Sequence, residues 1–177
     1  VKTLLALGHH VRIVYPIPVD KWIVKLADDD SVLSRRRSPK HGSPVDTFSE
    51  LVSFPDLVSH PRLEIEVLLI TEEEHRRHTP GSSWRRRGWT VEERRLVDVL
   101  DTLMISDVED LAALLPDLLP DPFTTAELAS RLGCSRRTAQ QMAYCLRIAD
   151  VISAVGKVGN AVEYRTRRRH PGLAARN

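Results

Sequence analysis

Thr124-Thr125-Ala126-Glu127-Leu128-Ala129-Ser130-Arg131-Leu132-Gly133-Cys134-Ser135-Arg136-Arg137-Thr138-Ala139-Gln140-Gln141-Met142-Ala143-Tyr144-Cys145-Leu146-Arg147 is the stretch that decides the fold of the last third of this chain. Threonine at 124 or 125 suits an N-cap, because its hydroxyl can accept from a backbone N–H that the start of a helix leaves without a partner. It opens a helix over residues 126–132 in which Leu128 and Leu132 share a side. Gly133 follows where a sharp turn between crossed helices needs positive φ. Ser135 caps the next helix. Its apolar stripe is Ala139, Met142, Ala143, Leu146, Ile148 and Ala149, which leaves Arg136, Arg137, Gln140, Gln141 and Tyr144 largely on the opposite, donor-rich face.

Upstream, residues 107–115 carry acidic side chains in their first turn and Pro116 just beyond, which predicts another helix; Pro120 and Pro122 forbid its continuation. Downstream, residues 151–155 and 161–165 read as short strands around Gly156-Lys157-Val158-Gly159-Asn160. Helix, capped helix, glycine turn, capped polar helix and hairpin, in that order, resemble the winged helix-turn-helix superfamily. The resemblance implies that the helix opened by Ser135 enters the major groove of double-stranded DNA, with its N-terminal half nearest the base edges. Arginine and glutamine can contact guanine and adenine there bidentately. The expected DNA-facing set is Ser135, Arg136, Arg137, Gln140, Gln141 and Tyr144, with Lys157 at the hairpin tip and Arg165, Arg167, Arg168 and Arg169 on phosphates. Some winged helices dock proteins or dimerise, so a protein-interaction module and a homodimer stay open as alternatives.

Charge is distributed in keeping with that expectation. The 177 residues carry a net charge of +2, but residues 121–177 hold 10 Lys/Arg against 4 Asp/Glu, leaving an acidic excess in residues 1–120. No apolar run reaches the roughly 20 residues of a membrane span and no secretory leader opens the chain, which points to a cytoplasmic protein. Cys134 and Cys145 form no metal-binding or disulfide pattern.

Residues 1–7 read as a short helix ended by Gly8, and residues 11–15 and 21–26 as separate strands. Asp28-Asp29-Asp30 turns the chain, residues 34–42 read as a polar loop, and residues 44–52 as a helix after Ser43 that stops at Pro55. Arg62-Leu63-Glu64-Ile65-Glu66-Val67-Leu68-Leu69-Ile70 alternates and then turns apolar, as a strand entering a buried sheet does. Residues 72–89 read as an exposed loop or long hairpin, and Thr90 with Glu93 makes a capping-box pattern that predicts a helix through Leu103. The fold class expected is α+β: a small, incomplete α/β domain over residues 1–104, a winged helix-turn-helix domain over 105–169, and a tail over 170–177.

Tyr15-Pro16-Ile17-Pro18, Lys21-Trp22-Ile23-Val24, Leu33-Ser34-Arg35-Arg36-Arg37-Ser38-Pro39-Lys40, Phe54-Pro55, Trp84-Arg85-Arg86-Arg87-Gly88-Trp89 and Met142-Ala143-Tyr144-Cys145-Leu146-Arg147 are similar to an uncharacterised bacterial protein family. The resemblance implies that longer members begin with a restriction-endonuclease-like half of the PD-(D/E)xK type. The acidic metal-binding residues of such a core have no counterpart here, so the chain is expected to be a truncated form without catalytic residues or cofactor, with divalent metal belonging only to a longer nuclease. Glu72, His75 and His78 have a three-residue spacing that would share a helical face, but their charged neighbours make a solvated run the simpler reading. His9-His10 reads as a surface pair. Arg85, Arg86 and Arg87 between Trp84 and Trp89 could stack on or ride over nucleic-acid bases, a secondary contact; alternatively the tryptophans pin the loop and the arginines pair with nearby glutamates.

Overall fold

The computed structural model describes residues 1–81 and 88–167. The chain is α+β, with a four-stranded sheet ordered β2-β1-β3-β4 and a three-stranded sheet ordered β5-β7-β6. Helix α1 (Lys2–Ala6) precedes strand β1 (Val11–Leu26) and strand β2 (Val32–Arg37); α2 (Phe48–Leu51) precedes β3 (Leu63–His78) and β4 (Trp89–Ile105). Then come α3 (Val108–Ala112), β5 (Phe123–Thr124), α4 (Thr125–Leu132), α5 (Arg136–Ile148), β6 (Ile152–Val158) and β7 (Ala161–Thr166).

Four expectations about the first hundred residues are corrected. The two strands expected at 11–15 and 21–26 are one, β1, which runs through Pro16 and Pro18. Both prolines lie outside the antiparallel register with β2, which covers only Trp22–Leu26, so no ladder bond is lost to their missing N–H groups there. Residues 34–37 of the expected polar loop belong to β2, in which Arg35 lies 3.9 Å over the Trp22 ring and donates to Glu73 at 2.9 Å while Arg37 donates to Asp20 at 2.6 Å. Residues 72–78, expected in an exposed loop or long hairpin, continue β3 beside its sheet neighbour β4, which agrees with the hairpin alternative, but Glu72, Glu74 and His75 are buried rather than exposed.

The helix expected after Thr90 is strand β4. The Thr90 hydroxyl, instead of capping a helix, lies 3.0 Å from the Thr79 hydroxyl and donates to the Arg77 carbonyl at 3.3 Å. Glu93 accepts from Arg95 at 2.7 Å, a contact between residues two apart that a strand places on one face and a helix does not. Glu74 with Arg76 and Glu73 with His75 repeat it on β3. Backbone pairing with the neighbouring β3 overrides the local helix signal.

The chain divides into two compact units, neither contiguous, which differs from a split at residue 104: one comprises residues 1–14, 45–66 and 104–177, the other 15–44 and 67–103. In the first, α2 packs against α5, and Phe48, Leu51 and Val58 are buried together with the C-terminal helices' own core. The apolar spacing of residues 45–58 thus belongs with elements nearly a hundred positions later. In the second, a largely buried charge cluster joins Lys21 to Glu72 (3.0 Å) and Glu74 (2.8 Å), with Arg76 at 2.5 Å from Glu74. Arg77 donates to the Ala27 carbonyl and reaches Asp30 (2.5 Å) and Glu92 (3.1 Å), tying the β1–β2 turn to β4. Among the described residues no helix is long and apolar enough to cross a membrane.

Candidate nucleic-acid interface

Helix α4 is set by a full capping box. The Thr124 hydroxyl accepts from the Glu127 N–H at 3.4 Å, and the Glu127 carboxylate accepts from the Thr124 N–H (2.7 Å) and hydroxyl (2.9 Å). These bonds hold the Glu127 carboxyl below its ordinary range, the backbone N–H most and the hydroxyl next. Gly133 ends α4 at φ +63°, and a Cβ there would meet nothing within 4 Å, so backbone conformation alone demands glycine. Ser135 then caps α5, accepting from the Thr138 N–H at 3.0 Å.

Helix α5 buries Ala139, Met142, Ala143, Cys145 and Leu146 almost completely. Burial pushes the Cys145 thiol up to about 12 and raises the Cys134 thiol as well, so neither is poised as a nucleophile. On the other side Ser135, Arg136, Arg137, Gln140 and Tyr144 are exposed and Gln141 is half-buried. Ser135 serves as the cap, and Arg147 lies 5.9 Å from the Tyr144 ring, closing off the far end of this face.

The hairpin β6–β7 stands beside this helix face. Its antiparallel register sets Lys157 opposite Val162 and Val158 opposite Ala161, with an irregularity between Ala154 and Gly156. Gly159 turns the chain at φ +57°. A Cβ at Gly156 would come within 3.0 Å of the Glu163 carboxylate, so the bulged position is tight as well. Arg136 and Gln140 from α5, Thr125 from α4, and Asn160, Ala161, Val162 and Tyr164 from the hairpin line one cleft of about 180 Å³. The structure therefore brings two of the expected residues, Arg136 and Gln140, to the same cleft as the turn of the hairpin.

The basic residues separate into two groups. Arg165 donates to Asp121 at 2.8 Å, and Arg167 is bound to Asp150. Among the described residues no ion pair or hydrogen bond engages the Arg136, Arg137 or Lys157 side chains. A cation without an internal carboxylate can engage an incoming anion at no cost in broken ion pairs, whereas Arg165 and Arg167 must first release theirs. Arg168, Arg169 and the secondary candidates Arg85, Arg86 and Arg87 lie outside the described residues. Trp89, next to that segment, has Lys25 at 4.2 Å over its ring and the His78 ring edge-on at 5.5 Å, so it is anchored to the sheet.

Glu72, His75 and His78 do not share a helical face, because β3 places alternate residues on opposite faces and Glu72 turns instead to Lys21. Among the described residues no group of three or more His, Cys, Asp or Glu is placed to hold a metal ion. Sequence reading missed Thr125, Asn160 and Tyr164 as parts of the cleft. Asn160 carried a signal, following Gly159 in a two-residue turn; Tyr164 carried none, because its place depends on the pairing of β7 with β5.

An uncharacterised protein of Treponema pallidum is 28% identical over 121 residues, which make up 68% of this chain and 48% of the relative. The chain thus spans about half the length of the curated relative it matches. No solved structure matches the chain significantly. Residues 1–106, more than half of the chain, match the family described as Domain of unknown function (DUF8091), and the chain belongs to that family.

Proposed function

We propose that the chain is a cytoplasmic, winged-helix protein that binds duplex DNA, non-catalytic in this form, with α5 as the groove-facing helix and the β6–β7 hairpin as the wing. The observation that carries the reading is the set of exposed cations Arg136, Arg137 and Lys157, whose side chains have no ion pair or hydrogen bond among the described residues, grouped with Gln140 on α5 and its neighbouring hairpin. The element order α3-β5-α4-α5-β6-β7 and the sheet order β5-β7-β6 support it, as does the exposure of Arg136 and Arg137 at the start of α5. Arg136, Arg137 and Gln140 sit in the N-terminal half of the helix, from which bases and phosphates are contacted in this mode.

Arg136, Arg137 and Lys157 on phosphate give a log–log salt slope of roughly −3. Arg165 and Arg167 are secondary in this account, since their ion pairs screen them. The reading is tested by hydrogen exchange on the full chain with and without a short random-sequence duplex. Added protection concentrated over residues 135–144 and 156–162 supports it. An unchanged pattern at low salt refutes it and favours the protein-docking use of the same domain.

A further inference from the structure

The cleft between α5 and the β6–β7 hairpin is lined by the polar side chains of Thr125, Arg136, Gln140, Asn160 and Tyr164. Each carries an N–H or O–H donor, and among the described residues none of these side chains makes a hydrogen bond or ion pair. The rest of the lining is apolar, from Ala161 and Val162, so no carboxylate lines the cleft. The acidic side chains of the adjoining elements are held elsewhere. Glu127 is bound to the Thr124 N–H and hydroxyl, and Asp121 accepts from Arg165. Glu163 falls on the opposite face of β7 from Val162 and Tyr164, beside Gly156.

Uncommitted donors around a guanidinium, with no competing carboxylate, suit an oxyanion, because hydrogen bonds to an ionised acceptor are the stronger ones. The donors come from α4, α5 and the hairpin, more directions than the two oxygens of a carboxylate can satisfy, whereas a tetrahedral phosphate presents oxygens to all of them. The volume of about 180 Å³ takes a phosphate group and is too small for a nucleoside, at the roughly 30 Å³ that each water-sized group occupies. We propose that this cleft is a phosphate subsite, in which Arg136, Gln140 and the turn of the hairpin hold one backbone phosphodiester of bound duplex. The duplex as the source of the phosphate rests on the DNA-binding reading; the chemistry of the cleft does not. Gln140 is then committed to the backbone rather than to an adenine edge, so its contribution to binding is the same on every sequence.

Inorganic phosphate titrated into the isotope-labelled full chain, with ionic strength held constant by chloride, tests the subsite by amide chemical shifts. The expected result is saturable shifts concentrated at residues 125, 136, 140 and 160–164, reversed when random-sequence duplex is added. The variant Gln140→Ala/Asn160→Ala changes two exposed residues and leaves the net charge untouched. It should weaken phosphate binding about threefold or more, and weaken duplex binding by one common factor across unrelated sequences. Shifts that follow every exposed cation alike, or that respond to Arg136→Ala but not to the neutral variant, overturn the subsite even where duplex binds. A loss of duplex affinity that varies with sequence overturns it as well, because Gln140 or Asn160 then reads bases. Saturable phosphate binding in the cleft by a chain that binds no duplex keeps the subsite, with a free phosphate group as its ligand, and removes the DNA-binding reading instead.

Discussion

The Arg165 guanidinium donates to the Asp121 carboxylate at 2.8 Å, so a residue that charge alone would assign to DNA already has an acidic partner within the chain. Arg165→Ala is therefore expected to change duplex affinity less than twofold at moderate salt, while Arg136→Ala lowers it several-fold. Titrations of each single variant against the same duplex check this. An equal loss from both would show that the Asp121 pair opens readily in the complex.

The α4 cap makes a stability prediction with a defined pH sign. Thr124→Ala removes the hydroxyl of the capping box and is expected to cost about 1 kcal/mol, measured by urea unfolding. Because Glu127 has a carboxyl pKa lowered in the folded state, its contribution is present above the unfolded value and is lost as pH falls through the folded value. Glu127→Gln should thus narrow its stability difference from the parent chain as the pH is taken down through the acid range, and a difference independent of pH would contradict the assignment.

Glu74 is the most demanding member of the sheet's charge cluster. Burial works against its ionised form, but hydrogen bonds from Lys21 and Arg76 outweigh that and leave its carboxyl below the ordinary range. Its stabilisation is likewise full above the unfolded carboxyl value and lost as the pH falls through the lowered one. Glu74→Ala strips a partner from two largely buried cations and should cost on the order of 3 kcal/mol. Glu93→Ala, at the exposed pair with Arg95, should stay within about 0.5 kcal/mol. Chemical denaturation of the two variants side by side separates buried from exposed pairing.

Two glycines are required for opposite reasons. At Gly42 a Cβ would lie 2.4 Å from Ile17 Cγ2 and 3.0 Å from the Pro18 carbonyl oxygen, so Gly42→Ala collides and should cost about 1–3 kcal/mol. At Gly133 there is space but the left-handed backbone is strained for alanine, by about 1 kcal/mol. Gly133→Asn should recover part of that loss, as asparagine tolerates this conformation, while Gly42→Asn should not; thermal unfolding of the four variants distinguishes the cases.

The parts of the fold legible in the sequence are those whose signals are local. Thr124, Gly133 and Ser135 announce the α4–turn–α5 unit because a cap or a left-handed turn is decided by one residue and its immediate neighbours. Strand β4 was not legible, because Thr90 and Glu93 imitate a helix start and only the neighbouring β3 turns them into cross-strand and two-apart partners. The arginines of β2 hid a strand for a similar reason: Trp22, Glu73 and Asp20 hold them on the sheet, and none of these is near in sequence. In the candidate site, the exposed face of α5 followed from helical periodicity, whereas the pairing of Arg165 with Asp121 spans 44 positions and needed the fold.

The measurement that bears most directly on the central claim is fluorescence-anisotropy binding of the full chain to random duplex DNA over a salt series, beside the Arg136→Ala/Arg137→Ala double variant. Each phosphate contact contributes about −0.9 to the log–log slope, so losing two should flatten it by roughly two units and weaken binding at every salt concentration. No binding by the parent chain even near ~50 mM salt, or a slope that the double variant leaves unchanged, would contradict α5 as a DNA-facing helix.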